Sequence, residues 1–112
     1  MAKHFSEAEI KGLAPELVSK LDTARTVAGV PFVITSGART PEENERAMGV
    51  ESSSHVTGKA VDLACSDSPT RFAMLRGLYA AGFRRIGIYS RHIHADVDES
   101  KPQDVAWWGT SH

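Results

Sequence analysis

His55 and Asp62 stand seven positions apart in Ser53-Ser54-His55-Val56-Thr57-Gly58-Lys59-Ala60-Val61-Asp62, and about thirty residues later His92-Ile93-His94-Ala95-Asp96 supplies two further imidazoles and an acid. Imidazole nitrogen and carboxylate oxygen are the donors zinc takes where thiolates are not used. Catalytic zinc keeps three protein ligands and leaves a fourth position for water, whereas structural zinc is closed by four. The chain has one cysteine, so a thiolate-closed site is excluded. His55, Asp62 and one imidazole of the later pair therefore point to an open zinc site, whose chemistry is activation of water against a carbonyl group.

The neighbouring residues indicate which elements bring these groups together. Lys59 to Cys65 mixes β-branched, apolar and small residues and reads as a short buried strand, with Asp62 on the face of Ala60 and Ala64. Those small neighbours leave room for an ion. His55 falls in the preceding loop, where Gly58 lets the backbone turn so that the imidazole swings back over Asp62. In the later segment, alternation puts His92, His94, Asp96 and Asp98 on one face and Ile93, Ala95 and Val97 on the other, with Ile93 and Val97 toward the core. The plain alternative is a solvated edge strand and an idle loop histidine. Two histidines and an acid on one face, together with the His-x6-Asp loop, favour the metal.

The remaining elements form a frame for this site. Ser6 with Glu9 marks a short helix, and Pro15 opens a longer one whose Leu17, Leu21, Ala24 and Ala28 form an apolar face before Gly29 ends it. A strand from Pro31 to Ser36 leads to Thr40, Pro41 and Glu43, which read as N-cap, first helical residue and capping-box acid of a helix from Pro41 to Met48. A loop from Gly49 to Thr57 carries the first ligand. Ser68-Pro69 caps a further helix with Phe72, Leu75 and Tyr79 as its apolar positions and Gly82 as its stop. Strands from Ile86 to Tyr89 and from His92 to Val97 make a tight hairpin, with Arg91 at its turn or just beyond. The order αβαβαββ indicates an α+β fold, one domain over residues 1–112, with a small antiparallel or mixed sheet and flanking helices. Of Trp107 and Trp108, one is expected to pack the tail on the sheet. For the other, lining a substrate cleft stays open.

Composition narrows the function classes. A chain of 112 residues, 41% hydrophobic and 24% charged, is one globular domain with a modest core. Ligands drawn from distant segments would cross-link it, so zinc is expected to support folding as well as chemistry. A net charge of −1 gives no electrostatic case for nucleic acid or for an anionic membrane surface. Cys65 reads as a small buried hydrophobe, and a lone cysteine excludes an internal disulfide. Met1-Ala2-Lys3-His4-Phe5-Ser6 does not resemble a signal peptide, and no apolar run reaches membrane-spanning length. The expectation is a protein made in the cytoplasm, not inserted in a membrane, with a monomer favoured.

Ser53-x-His55-x-x-Gly58-x-Ala60-x-Asp62 followed by His92-x-His94 resembles the zinc D-alanyl-D-alanine peptidase family, which belongs to a wider group with lysostaphin-type peptidases and hedgehog domains. The resemblance extends to Ile34-Thr35-Ser36-Gly37-Ala38-Arg39-Thr40-Pro41-Glu42-Glu43-Asn44 and to Arg85-Ile86-Gly87-Ile88-Tyr89, so it covers about residues 30 to 108, in the manner of the short phage-associated branch. It implies that His55, Asp62 and His94 bind Zn²⁺. It also implies that Arg39 stabilises the oxyanion formed at the substrate carbonyl and that Ser53 helps hold a substrate carboxylate. On the residues alone, Arg39 would pair with Glu42 or Glu43 and Ser53 would be an ordinary loop serine.

The general base is where this chain departs from the pattern. Better-known members carry Glu or Asp three residues before the last histidine, and here that position is Arg91. His92 and Asp96 are the candidates, since both flank His94 on its own face. Asp96 has a second possible role, accepting the other N–H of His94. The expected activity is hydrolysis of peptidoglycan stem or cross-bridge peptides, as carboxypeptidase or endopeptidase, in a phage or prophage endolysin acting on the cell wall. The alternative is a non-catalytic module that keeps the zinc fold to recognise wall peptides or carboxylates. A weaker third reading is a non-peptide amidohydrolase.

Overall fold

In the computed structural model, which describes residues 2–40, 42–43 and 53–109, Pro15 and Gly29 bracket the first helix, α1 (Pro15–Ala28). Proline is tolerated there because an N–H in the first turn has no helical partner. Gly29 closes the helix in the left-handed conformation, φ 69°, and returns its N–H to the Arg25 carbonyl. Leu17, Leu21, Ala24 and Ala28 are buried, the face the spacing predicts. Upstream, Ser6 and Glu9 exchange the two bonds of a capping box, 2.8 and 3.2 Å, yet residues 7–12 remain a run of turns and not a helix. Gly12, at φ 80°, breaks the chain direction before a second helical turn can form.

The second long helix, α2 (Ser68–Ala80), corrects two expectations. Its cap is Asp67, whose carboxylate accepts the Thr70 N–H at 2.8 Å, and Ser68 is already helical. Its buried residues are Met74, Gly77 and Leu78, whereas Phe72 and Tyr79 are 71% and 56% exposed. Packing explains the choice of face. Gly77 lies against Ala24 and Ala28 of α1, so the helices meet along their smallest residues, and a face of large aromatics would have held them apart. Thr40 and Glu43 form their capping box, at 2.9 and 3.1 Å, with Glu42 and Glu43 helical; the rest of the expected helix to Met48, and the loop as far as residue 52, lie outside the described residues.

Among the described residues, five strands make one mixed sheet: β1 (Ile34–Ser36), β2 (Ala60–Ala64), β3 (Arg85–Ile88), β4 (His92–Asp96) and β5 (Val105–Trp108), in spatial order β1-β2-β4-β3-β5. β1 is shorter than the expected Pro31–Ser36. β5 forms where the sequence suggests only a packed tail; it runs parallel to β3, and among the described residues the other strand pairs are antiparallel. Alternation divides the sheet into two faces. Val61, Leu63, Ile86, Ile93 and Ala95 pack toward the helices and are buried with Leu17, Leu21, Met74 and Leu78. Asp62, His92 and His94 occupy the opposite face. A bulge between Ile34 and Ser36 leaves Thr35 extra, its hydroxyl reaching the Asp62 carbonyl at 3.3 Å, and turns Ser36 onto the Asp62 face while Ile34 stays on the core.

A Cβ at Gly77 would come within 2.3 Å of the Ala24 carbonyl oxygen. Alanine ordinarily stabilises a helix interior by roughly 0.5–1 kcal/mol over glycine. Here Gly77→Ala is expected to lower stability by about 1–3 kcal/mol, the usual cost of overpacking. Urea denaturation checks the sign, and a gain in stability would contradict the close α1–α2 contact.

Candidate active site

Register assembles the site. Ser36, Asp62, His94, Gly87 and Trp107 are successive cross-strand partners, one row running from β1 to β5 across the face opposite the core. His55 enters from the loop before β2. That loop is folded by Gly58, at φ 73°, which lies so close to the Gly12 carbonyl that no side chain would fit, and it is held by the Ala14 N–H bonding the Gly58 carbonyl at 2.8 Å. The segment after β1 clasps His55 from the other side: the Arg39 N–H bonds its carbonyl at 2.9 Å, and its Nδ1 bonds the Gly37 carbonyl at 2.9 Å.

The Asp62 carboxylate is the meeting point. Its Oδ1 lies 3.4 Å from His55 Nε2, 3.2 Å from His94 Nδ1 and 4.0 Å from His92 Nε2. The ligand atoms of His55, Asp62 and His94 all fall within 4.8 Å of one another. Two donors each about 2.0–2.1 Å from a tetrahedral zinc are roughly 3.3 Å apart. The separations at Asp62 match that figure, so these donors fit a small tetrahedral cation. The other nitrogens also fit, because His55 Nδ1 is turned to a carbonyl and His94 Nε2 bonds Asp96 Oδ2 at 2.7 Å. A partner on the far nitrogen is how a zinc-binding imidazole is oriented.

Burial pushes the Asp62 carboxyl up, but hydrogen bonds from His55 and His94 and their charge outweigh it and hold the group well below the usual carboxylate range. Burial pushes the His94 imidazole down, and its bonds to Asp62 and Asp96 more than reverse this, leaving it above the ordinary histidine value.

The structure separates the two residues considered for the base. His92 faces the Asp62 side and stacks on Tyr89, ring centroids 4.4 Å apart. Asp96 is 1% exposed and lies behind His94. Besides its bond to His94 it accepts from Arg85 Nε at 2.8 Å and from the Asp98 N–H at 3.1 Å, so both its oxygens are engaged. Arg39 bonds Ser36 Oγ through Nε at 3.0 Å and brings its terminal nitrogen to 3.8 Å from Asp62 Oδ2. It is thus turned to the site, with Ser36 among the residues that hold it there. Ser53 is buried, with its hydroxyl accepting the His55 N–H at 3.2 Å.

Several residues that serve the site carried no signal of their own in sequence. Ser54 donates to Asp98 at 2.7 Å and Lys101 donates to Ser54 at 3.0 Å, tying the His55 loop to the segment after β4. Alternation had placed Asp98 on the ligand side without indicating a partner. Arg85, beneath Asp96, also stacks 5.0 Å from the Trp107 ring. Trp107 donates to the Tyr89 hydroxyl at 3.1 Å and approaches His94 to 5.5 Å between centroids, whereas Trp108 is 81% exposed. One tryptophan therefore walls the site, and it is also the one packed on the sheet.

The family model of peptidase M15 matches residues 2–98. The chain belongs to the peptidase M15 family. Among solved structures it is similar to the Serratia marcescens L-Ala D-Glu endopeptidase ChiX, with a TM-score of 0.58 and 21% identity over 88% of this chain and 89% of that one, a likeness of fold. No curated protein matches the sequence. No helix among the described residues is long and apolar enough to cross a membrane.

Burial pushes the Asp98 carboxyl up, but hydrogen bonds from Ser100 and Ser54 pull it further down, to about 2. A carboxyl lowered on folding stabilises the protein above its unfolded value, near 3.9, and that contribution disappears as pH falls toward 2. Asp98→Asn should therefore flatten the loss of stability between about pH 4 and pH 2, followed by urea unfolding across pH. A wild-type slope retained in the variant would contradict the ionic anchor.

Proposed function

We propose that this peptidase is zinc-dependent and hydrolyses peptidoglycan peptides, at stem or cross-bridge bonds, as an endolysin-like wall-degrading enzyme of phage or prophage. The observation that carries the zinc assignment is the convergence of His55, Asp62 and His94 within 4.8 Å. The peptidoglycan substrate is supported by the fold shared with an L-Ala D-Glu endopeptidase. Zinc held by these three residues would supply Lewis acidity and a water able to lose its proton near neutral pH.

The chain's own groups then divide the remaining work. Arg39, fixed by Ser36, offers a planar guanidinium to the negative charge that grows on the carbonyl oxygen. His92 accepts the proton of the attacking water and returns it to the leaving amine. Asp96 orients His94 and does not move a proton itself, because its oxygens already accept three hydrogen bonds. Ser53 still has its hydroxyl proton to donate, since among the described residues its Oγ acts as an acceptor, and with Arg39 it serves the substrate carboxylate.

Purified peptidoglycan incubated with the zinc-loaded protein should release peptides that mass spectrometry assigns to one bond, and chelation should stop release until zinc is restored. Wild type should hold about one zinc per chain, as expected for an open three-ligand site. The double variant His55→Ala with His94→Ala should hold much less. Zinc content unchanged in that variant would overturn the ligand set, and binding to the wall without any product would favour the non-catalytic module.

A second pair of variants tests the division of roles. His92→Ala should slow turnover by roughly 10²–10⁴-fold with zinc content intact. Asp96→Asn should instead weaken zinc affinity by roughly 10–100-fold, as loss of an imidazole's outer partner does. If Asp96→Asn loses turnover but keeps its affinity for zinc, the carboxylate is the base and His92 is not.

A further inference from the structure

Rotation about the bond that carries an imidazole is loosely restrained, so the plane of a histidine ring is set by what it touches. The His92 side chain is 23% exposed, yet its ring lies nearly parallel to that of Tyr89, with 10° between planes and 4.4 Å between centroids. The hairpin makes this pairing possible. It turns over Ser90 and Arg91, and the Tyr89 N–H bonds the His92 carbonyl at 3.0 Å, so the two residues stand opposite each other at the end of β3 and β4.

Tyr89 is in turn held from the side of β5. Sheet order puts β3 between β4 and β5, so His92 approaches the phenol ring from one flank and the end of β5 from the other. Gly109, whose N–H bonds the Ile88 carbonyl at 3.0 Å, lies so close that a Cβ there would collide with the ring. The hydroxyl accepts the Trp107 Nε1–H at 3.1 Å, and the indole is itself laid on Gly87, where a Cβ would come within 2.6 Å of it. Two glycine backbones and one hydrogen bond therefore fix the aromatic ring against which His92 rests. With the imidazole so placed, its Nε2 lies 4.0 Å from Asp62 Oδ1, at the rim of the ligand cluster.

We propose that Tyr89 is a positioning residue for His92, aiming the imidazole by stacking on it, with Trp107 and Gly109 holding Tyr89 in turn. This rests on His92 acting as the base, as proposed above, and adds the residues that aim it. A misplacement of about 1 Å can slow a reaction roughly 10²-fold. A base free to swing is expected to lose rate on that scale.

The test measures peptide release from saturating purified peptidoglycan by the zinc-loaded full chain, together with zinc content. Tyr89→Leu should slow release by roughly 10–100-fold with zinc retained, and Tyr89→Phe, which keeps the stacked ring, should recover most of that loss. Gly109→Ala, which alters no polar side chain of the site, should slow release by crowding the ring. In the His92→Ala background Tyr89→Leu should cost about twofold or less, since a residue acting through His92 has nothing left to aim. Proton NMR follows the ring itself: the His92 ring protons, shielded over the Tyr89 face, should move downfield in Tyr89→Leu and stay in place in Tyr89→Phe. The proposal is overturned if Tyr89→Leu costs as much without His92 as with it, if Tyr89→Phe is as slow as Tyr89→Leu, if Tyr89→Leu loses its zinc, or if the His92 shifts do not move. Should the shifts move as expected while His92→Ala keeps full turnover, Tyr89 places the ring and the base assignment alone fails.

Discussion

Asp62 must stay ionised in a place from which water is largely removed, and most of the site can be understood as the means to that end. Burial alone pushes the carboxyl's pKa up; the two imidazoles at 3.4 and 3.2 Å from its Oδ1 more than offset it. They do so only if each ring is fixed, which requires a partner on its far nitrogen. His55 finds the Gly37 carbonyl and His94 finds Asp96. Asp96, more deeply buried still, then needs a cation, and Arg85 supplies it before ending against the Trp107 ring and the Pro102 carbonyl. A buried ion pair of this kind contributes little net stability, because desolvation cancels most of the attraction. Its effect here is orientation of a ligand.

The same face could not exist without its apolar reverse. Asp62 and His94 are register partners, and a slip of one residue between β2 and β4 would set Asp62 beside a core-facing residue and turn one of the two ligands into the core. Val61, Leu63, Ile93 and Ala95, all fully buried, oppose that slip, so the hydrophobic pattern of the two strands guards the chemistry on their other side. The loop ligand is guarded differently. His55 depends on Gly58 meeting Gly12, on the Arg39 backbone, and on the Ser54–Asp98–Lys101 cluster, contacts between segments far apart in sequence.

That difference decides what was legible beforehand. The period-two pattern around Asp62 and His94 places both residues on one face without any knowledge of the fold, and proline and glycine mark α1 to within a residue. Resemblance to a known peptidase group selected His94 over His92 and drew attention to Arg39, which the residues alone would have paired with Glu42 or Glu43. Of the expected apolar positions of α2 only Leu75 packs on the core; Phe72 and Tyr79 are exposed, because the deciding residue, Gly77, has no side chain to register in a hydrophobic pattern. β5 escaped because a four-residue parallel partner for β3 has no local signature. The supports of Asp96 and Asp98 escaped for a similar reason: a partner eleven or forty-four positions away is set by topology.

The chemistry of the site turns on which ring nitrogens face the shared centre. A crystal structure of the zinc-loaded protein, with the metal located by anomalous scattering at the zinc edge, addresses this directly. The account predicts one ion bound by His55 Nε2, an Asp62 oxygen and His94 Nδ1, with His94 Nε2 still bonded to Asp96 and His92 unligated. Zinc coordinated by His92, or by His94 through Nε2 with Asp96 displaced, would contradict it.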